Sequence, residues 1–510
     1  MIRFDVGRAV LSLAFLAGIF VFANFQFGTS AGGGTFLIVA AIIGGYMALN
    51  IGANDVANNV GPSVGSGALT MTSAIILAAI FEIAGAMLAG GDVVGTIKKG
   101  IIDPAAIADT SSFIWLMLAA LFAAALWLNI ATALGAPVST THSIVGGVLG
   151  AGIAAGGWQI ANWDQMIKIA ASWVISPVLG GLIAAFFLYL VKRTIIDQKD
   201  MIQAARKYVP YLVSLMVLVF TTYLVLKGFK KIWKVDFTTA ILIGMASAGV
   251  AFFTIRPLIT RAAQKLTNDR MSINQLFTVP LIFSAALLSF AHGANDVANS
   301  VGPLAAISDA LTSGDISTKA AIPLWVMIIG ATGIAVGLAL YGPKLIKTVG
   351  TEITHLDKAR AFCVALAAAI TVIVASQAGL PVSSTHIAVG GVFGVGFLRE
   401  YLVAYRERLS SEIEDSIQGD DPQQVSEFLE TFRATAVADQ GTLLKELRKS
   451  TSQDLYLAKK DRKDLRTIHR KELVKRSMLY KIGAAWVITV PASGVIAAFM
   501  FYAIRGFMLP

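Results

Sequence analysis

Long apolar runs separated by short polar connections dominate the chain. Each run has about 20 residues, enough for a helix to cross the roughly 30 Å hydrocarbon core of a bilayer. They lie near residues 9–26, 35–52, 72–90, 111–134, 168–190, 208–228, 237–256, 277–291, 321–342, 361–379 and 481–505. Two shorter apolar pieces bring the expected total to about 11 to 13 segments, depending on whether pieces such as 138–158 span or re-enter. We therefore expect an all-α polytopic protein of the cell membrane.

The first apolar run follows two arginines, as a secretory signal would. Its apolar core is long, however, and no clean small-x-small cleavage site follows it. We interpret residues 1–34 as a retained N-terminal helix.

Composition supports membrane insertion and changes the meaning of the charge. The chain is 56% hydrophobic and 14% charged, with a mean hydropathy of +0.71, which is far from a soluble domain. Its net charge of +10 resides partly in the connections "KRTIIDQK", "KGFKKIWK" and "RPLITRAAQK". We interpret these clusters as cytoplasmic loops rather than as a nucleic-acid site. Cys363 lies in an apolar run and, as the single cysteine, forms no internal disulfide.

Two sequence elements occur twice, in the same order. "GANDVANNVGP" at 52–62 returns as "GANDVANSVGP" at 293–303, and "LGAPVSTTHSIVGGV" at 134–148 returns as "AGLPVSSTHIAVGGV" at 378–392. A third match aligns the helix from Lys168 with the helix from Lys481. The repeat predicts two related halves.

The repeat also divides the chain. We expect a first repeat at 35–192, connecting helices at 193–276, a second repeat at 277–398 and the last helix of that repeat at 481–510. The second half carries a hydrophilic insert at 399–480, whose apolar residues recur at helical spacing. We predict a soluble helical hairpin there, serving either as a regulatory or partner-binding element or as an inert insert.

Acidic residues are rare in the apolar runs, and three of them stand out. Asp55 and Asp296 lie in the two copies of the first element, and Glu82 lies in the middle of "LAAIFEIAGAMLAG". An ionised carboxylate inside a membrane costs several kcal/mol unless it is partnered, roughly as insertion scales indicate. A functional role is the first interpretation, and a structural bond to a neighbouring helix is the alternative for Glu82.

Glycine, asparagine and proline in matching places of both halves predict broken helices. Such interruptions mark binding sites in transporters, because non-helical backbone at membrane depth must be satisfied by protein or by a water-filled cavity. The "GANDVAN" element would interrupt one helix in each half, and the second element would start another. Pro137 and Pro381 suit a first helical turn.

The start of the second element predicts an anion site. Free N–H groups collect at a helix N-terminus, where hydroxyls can add further donors. Those hydroxyls belong to Ser139, Thr140, Thr141, Ser383, Ser384 and Thr385. Two nearby aspartates would repel an anion unless cations were loaded with it, so the pattern predicts cotransport. Carboxylate, amide and backbone oxygens suit a hard cation such as Na⁺.

Other functions fit the residues less well. His142 and His386, in the first turn of their helices, are interpreted as structural hydrogen-bonding residues rather than metal ligands. An intramembrane hydrolase using the aspartates or these histidines lacks the expected spacing. A passive anion channel would show basic rings, and no phosphate-binding G-x-x-x-x-G-K-[ST] loop of a primary pump occurs.

Both elements resemble those of the inorganic phosphate transporter (PiT) family, whose hallmarks read "GANDVAN" and "PVSTTH". The segment "FEIAGAMLAGGDVVGTIKKGIIDP" at 81–104 is also similar to the family's first half. The resemblance implies a symporter with inverted repeats that binds phosphate and cations near the midplane. It implies no cofactor and no enzymatic activity, inorganic phosphate and Na⁺ or H⁺ as ligands, and a homodimer as an assembly to test.

The resemblance also implies individual site residues. It places Asn54, Asp55, Asn58, Asn295, Asp296 and Asn299, with the hydroxyls named above, at the phosphate site. It places Asp55, Asn58, Glu82, Asp296 and Asn299 at the cation site.

One position departs from the sodium-coupled members, which carry a second glutamate where this chain has Ala365. Because the chain keeps "GAND" twice, sodium-coupled import of phosphate is the first hypothesis. Proton-coupled symport of phosphate or of a metal phosphate is the alternative.

Overall fold

A computed structural model describes residues 6–28, 34–107, 109–136, 138–228, 233–313, 322–351, 356–416 and 476–508. Within these ranges the chain is helical and contains no strand, apart from one isolated bridge between Ile102 and Ala161. Among the described residues, twelve helical segments are long and apolar enough to cross a membrane. The sequence prediction of an all-α membrane protein is confirmed.

The first half of the chain contains eight described α-helices between Val6 and Val191. They are α1 (Val6–Phe27), α2 (Gly34–Asn54), α3 (Val56–Gly65), α4 (Met71–Ala89), α5 (Gly91–Lys99), α6 (Thr110–Leu134), α7 (Thr140–Gly156) and α8 (Trp163–Val191). A π-helical turn, Lys192–Ile196, follows α8.

The remaining helices comprise a connecting hairpin and the second half. They are α9 (Met201–Tyr223), α10 (Phe237–Ala263), α11 (Arg270–Gln275), α12 (Thr278–Asp296), α13 (Ala298–Ser313), α14 (Leu324–Thr351), α15 (Lys358–Gln377), α16 (Ser384–Ser416) and α17 (Arg476–Met508). The start of the hydrophilic insert continues α16 to Ser416. The helical hairpin predicted for the rest of the insert lies outside the described residues.

Helices of one half pack mainly against helices of the other. The main partners are α2 with α14, α4 with α12, α7 with α17 and α8 with α16. Glycines allow these crossings: Gly85 on α4 faces the carbonyl of Phe290, and Gly293 on α12 faces that of Glu82, with no room for a β-carbon at either position. The two halves are therefore interlocked rather than side by side.

The crossing of α4 with α12 has a counterpart made of different residues. Between α2 and α14, Gly52 faces the carbonyl of Ile334, and Gly337 faces that of Leu49. Ile334 lies three residues before Gly337 on α14, as Glu82 lies three residues before Gly85 on α4, so the two positions correspond. Likewise, Ile51 directly precedes Gly52 on α2, as His292 directly precedes Gly293 on α12.

The basic clusters do not all lie at one membrane face. Helices α9 and α10 are antiparallel, because Arg206 donates to the carbonyl of Thr260 near one end of the pair, and Thr222 lies against Gly244 near the other. The clusters at 192–199 and 256–265 meet at the first end, whereas Lys227 and Lys234, the described basic residues of the third cluster, lie between α9 and α10 at the second end. The prediction that all three face the cytoplasm is wrong, since both helices are long enough to span.

Candidate functional site

The two copies of the first element place aspartates at interrupted helices. Asp55 separates α2 from α3, and Asp296 ends α12 just before α13; both side chains are buried. Pro62 in α3 and Pro303 in α13 have no backbone N–H. The backbone carbonyls of Asn58 and Asn299, four residues earlier, therefore lack their helical hydrogen-bond donors. The predicted helix interruptions are confirmed.

The second element starts a helix in each half with a hydroxyl cap. Ser139 accepts a hydrogen bond from the backbone of His142 at 3.1 Å, and Ser383 accepts one from His386 at 3.1 Å. These bonds make the two serines the N-caps of α7 and α16. Pro381 therefore precedes the helix instead of lying in its first turn, which corrects the prediction, and Pro137 is outside the described residues.

The hydroxyls of α7 and α16 reach the aspartates of both interrupted helices. Thr140 donates from Oγ1 to Oδ2 of Asp55 at 2.7 Å, and the same oxygen lies 3.3 Å from Oδ2 of Asp296. Ser384 donates to Oδ2 of Asp296 at 3.2 Å. A hydroxyl carries one proton, so Thr140 donates fully to one aspartate at a time. Four helix ends that are far apart in sequence thus meet at two carboxylates.

Two asparagines connect the halves reciprocally. Asn58 donates from Nδ2 to Oγ1 of Thr385 at 2.9 Å, and Asn299 donates to Oγ1 of Thr140 at 3.0 Å and of Thr141 at 3.2 Å. All of these side chains are buried. Each interrupted helix is therefore tied to the helix start of the opposite half.

The other two predicted asparagines bind protein groups within their own half. Asn54 donates to Thr132 at 2.9 Å and accepts from the backbone of Val138 at 3.1 Å. Asn295 donates to Ser376 at 2.8 Å. These contacts hold each aspartate close to the helix that precedes the second element.

Glu82 lies beside the aspartates and is fully committed to protein partners. Its Oε1 accepts from Asn59 at 2.8 Å, and its Oε2 lies 2.8 Å from Nδ1 of His292. The other ring nitrogen, Nε2, lies 3.2 Å from Oδ2 of Asp296, close enough for an ion pair although not aligned as a hydrogen bond. A buried chain of polar side chains therefore runs from α3 through α4 and α12 to Asp296.

The sequence analysis did not single out His292 or Asn59. The available signal was the same as for Glu82, because His292 is a polar residue within an apolar helix, one position before the second "GAND". Asn59 differs from its counterpart Ser300, which marks the place where the two copies of the element diverge.

Several oxygens of the site have no protein partner. They are Oδ1 of Asp55, Asn58, Asn295 and Asp296, all buried. One ligand atom each from Asp55, His292 and Asp296 lie within 4.8 Å of one another. Hard oxygen atoms without a hydrogen-bond donor are what a sodium-sized cation binds. These residues therefore fit a cation between the two aspartates.

The histidines of the second element stack instead of hydrogen-bonding through their rings. The ring of His142 lies 3.8 Å from that of Trp173, the ring of His386 lies 3.6 Å from that of Trp486, and the two imidazoles meet edge to face at 4.4 Å. Their ring nitrogens are buried without a hydrogen-bond partner. The main contact between α7 and α16 at this point is the packing of the two rings.

Comparisons with known proteins agree on one family. The sequence model of the phosphate transporter family matches residues 51–497. A protein of Helicobacter pylori described as "Putative phosphate permease" is 52% identical over 509 residues, covering 98% of this chain and 95% of the relative.

A relative from Pyrococcus furiosus with the same description is 39% identical over 367 residues, which are 71% of this chain and 87% of that protein. Among solved structures, "The sodium-dependent phosphate transporter" matches with a TM-score of 0.74 and 30% identity, covering 93% of this chain and all of that one.

Proposed function

The chain belongs to the phosphate transporter family, and from this premise we propose that it imports inorganic phosphate by symport with sodium. Its relatives are permeases, and the match covers the multi-pass membrane part of the chain, so the hydrolase alternative is excluded. The observation that carries the sodium proposal is the pair of buried aspartates facing two hydroxyl-capped helix starts.

The helix starts supply the phosphate-binding side. Backbone amides at the first turns of α7 and α16 present donors to oxyanion oxygens. The hydroxyls of Thr140 and Ser384 donate to the aspartates in this structure, and they would turn to the anion once cations occupy the carboxylates. Thr141 and Thr385 add further hydroxyls at the same helix starts. Asn58 and Asn299 orient these hydroxyls from the opposite half. No lysine or arginine belongs to either element, so the anion depends on dipoles and bound cations.

Electrostatics then require the cation. Two unit charges 4 Å apart interact by about 4 kcal/mol at an effective dielectric constant near 20. Phosphate next to Asp55 and Asp296 would suffer such repulsion from both, which would weaken binding by several orders of magnitude. Each monovalent cation held by their unpartnered Oδ1 atoms offsets one of the two aspartate charges and makes phosphate binding depend on sodium.

The interlocked halves suit a transport cycle around a fixed site. Asn58 and Asn299, on the two interrupted helices, each bind a hydroxyl at the helix start of the other half. Because the halves interlock, the moving bodies would be groups of helices drawn from both halves, and their rocking would expose the loaded site first to one side and then to the other.

Proton coupling is the second candidate, and one observation favours it. Glu82 is engaged by Asn59 and His292 instead of offering free oxygens, and Ala365 occupies the place where sodium-coupled relatives carry another glutamate. A carboxylate paired with an imidazole, as Glu82 is with His292, can bind and release a proton, which is what proton coupling requires.

Uptake of radiolabelled phosphate into proteoliposomes separates the candidates. Sodium and pH gradients are imposed one at a time on the wild type, Asp55→Asn, Asp296→Asn and the exposed control Asp164→Asn. We expect uptake to follow sodium, to disappear in both site variants and to persist in the control. Uptake that follows only the pH gradient would replace sodium by protons. Near-normal uptake by either site variant would remove that aspartate from the mechanism.

A further inference from the structure

A cleft lies away from the aspartates, where two basic clusters meet. The π-helical turn after α8, the first turns of α9 and the last turns of α10 enclose a cleft of about 1450 Å³. Asn268 fixes the connecting loop, since it donates to the carbonyl of Lys199 at 2.8 Å and accepts from the backbone of Met201 at 2.9 Å. These hydrogen bonds hold the loop that borders the cleft in a defined conformation.

The cleft is strongly basic on its polar side. Five basic residues line it against two aspartates, and one of these, Asp200, caps α9 by accepting from the backbone of Gln203 at 2.8 Å. The basic residues are Arg193, Lys199, Arg206, Lys207 and Arg256. Such a concentration of positive charge attracts anions at a membrane surface.

Arg206 offers a donor that no protein group accepts. Its Nη2 lies 3.5 Å from the carbonyl of Thr260, at the limit of a hydrogen bond, and its buried Nε has no partner. Burial of an unpaired guanidinium N–H is unfavourable, and a phosphate oxygen is its natural acceptor.

The wall toward the membrane is aromatic. The rings of Tyr211 and Phe252 lie 4.8 Å apart, and the guanidinium of Arg256 lies 6.0 Å from the Phe252 centroid. Beyond them α10 exposes apolar side chains, including Val250 and Phe253 at 69% and 75% exposure. A ligand bound here would have its charge among arginines and an apolar part along α10.

We propose that this cleft binds the phosphate head group of an anionic glycerophospholipid. Inorganic phosphate shares the charged group, but it would leave the aromatic wall and the apolar surface of α10 uncovered. The arrangement joins a basic rim to an apolar face at the ends of membrane-spanning segments, as lipid head-group sites do. The proposal does not depend on which ion drives transport.

Native mass spectrometry of the purified full-length protein tests the site. Phosphatidylglycerol is titrated against the wild type, Arg206→Gln, Arg256→Gln and Arg261→Gln, with phosphatidylcholine as the zwitterionic reference. Arg261 is the matched control, because it lies on the same helix and outside the cleft lining. We expect phosphatidylglycerol to bind preferentially and to bind about fivefold more weakly to each cleft variant, the contribution of one basic residue near a charged surface.

Each other outcome would overturn the proposal. Equal weakening by Arg261→Gln would reduce the effect to general surface charge, and equal binding of phosphatidylcholine would remove the anionic selectivity. Displacement of the lipid by inorganic phosphate would assign the cleft to the soluble anion. Arg256 is exposed, so its variant keeps the test valid if Arg206→Gln fails to fold.

Discussion

The buried polar side chains of Asn59, Glu82 and His292 allow their effects on stability and on transport to be measured separately. Glu82 binds His292 and Asn59, whereas the corresponding places at the crossing of α2 and α14 hold Ile334 and Ile51, and Ser300 corresponds to Asn59. The protein therefore contains an apolar version of the same crossing. Both isoleucines are fully buried.

Glu82→Ile alone removes the acceptor of two buried donors. Breaking one partner out of a buried charged pair costs about 3–5 kcal/mol, whereas replacing the whole set by well-packed apolar residues is often neutral or stabilising by about 1–4 kcal/mol. We therefore expect the single variant to lose about 3–5 kcal/mol in the free energy of unfolding. Adding His292→Ile and Asn59→Ser should restore most of that loss.

Transport should respond differently from stability. The triple variant leaves Asp296 without the imidazole 3.2 Å away, so we expect phosphate uptake to remain strongly impaired although the fold is recovered. Unfolding in mixed detergent micelles measures the first quantity, and uptake into proteoliposomes measures the second. If the triple variant proves as unstable as Glu82→Ile, the correspondence between the two crossings is wrong. If it transports normally, the polar chain has no role in transport.

Further predictions address the anion site, the helix crossing and a cap outside the membrane. Thr140→Val removes a hydroxyl that donates to Asp55 in this structure and that we propose donates to phosphate in the loaded site. It should weaken phosphate binding about 10- to 100-fold, as expected for a lost hydrogen bond to a charged group, while Thr140→Ser retains binding; equal losses in an uptake titration would exclude the hydroxyl. Gly85→Ala should destabilise the fold by about 1–3 kcal/mol because a β-carbon would clash with α12, whereas Gly249→Ala faces open space and should not. Hydrogen bonds lower the pKa of Asp269 to about 2. The bond from the Thr267 side chain has the largest effect, and bonds from Ser272 at the start of α11 come next. The stabilisation is thus present above the unfolded pKa near 3.9 and is lost as pH falls through about 2. Asp269→Asn should flatten the stability profile in that window, and an unchanged profile would contradict the cap.

Much of the geometry of the candidate site could be predicted from the sequence because its elements occur twice. A single "GAND" is compatible with an ordinary turn, but two copies in apolar helices predict interrupted helices, and both interruptions are present at Asp55 and next to Asp296. The hydroxyls of the second element were located by the same logic, since a helix start collects donors wherever it lies.

Other features depend on contacts that no local pattern encodes. His292 pairs with Glu82 across 210 positions, and Asn58 meets Thr385 across 327. The role of Asn54 in holding Val138 also follows only from the packed arrangement. Likewise, the side of the membrane on which each basic cluster lies depends on the hairpin of α9 and α10, not on the clusters themselves.

The sequence by itself determined that the chain lies in a membrane, that it is built from two related halves and that its polar residues concentrate at interrupted helices, because these properties follow from run length and local hydrogen-bonding needs. Only the tertiary structure decided which half supplies each partner. Close packing at glycine crossings interlocks the halves. The aspartates of the interrupted helices therefore meet hydroxyls, and Glu82 meets an imidazole, that are distant in sequence.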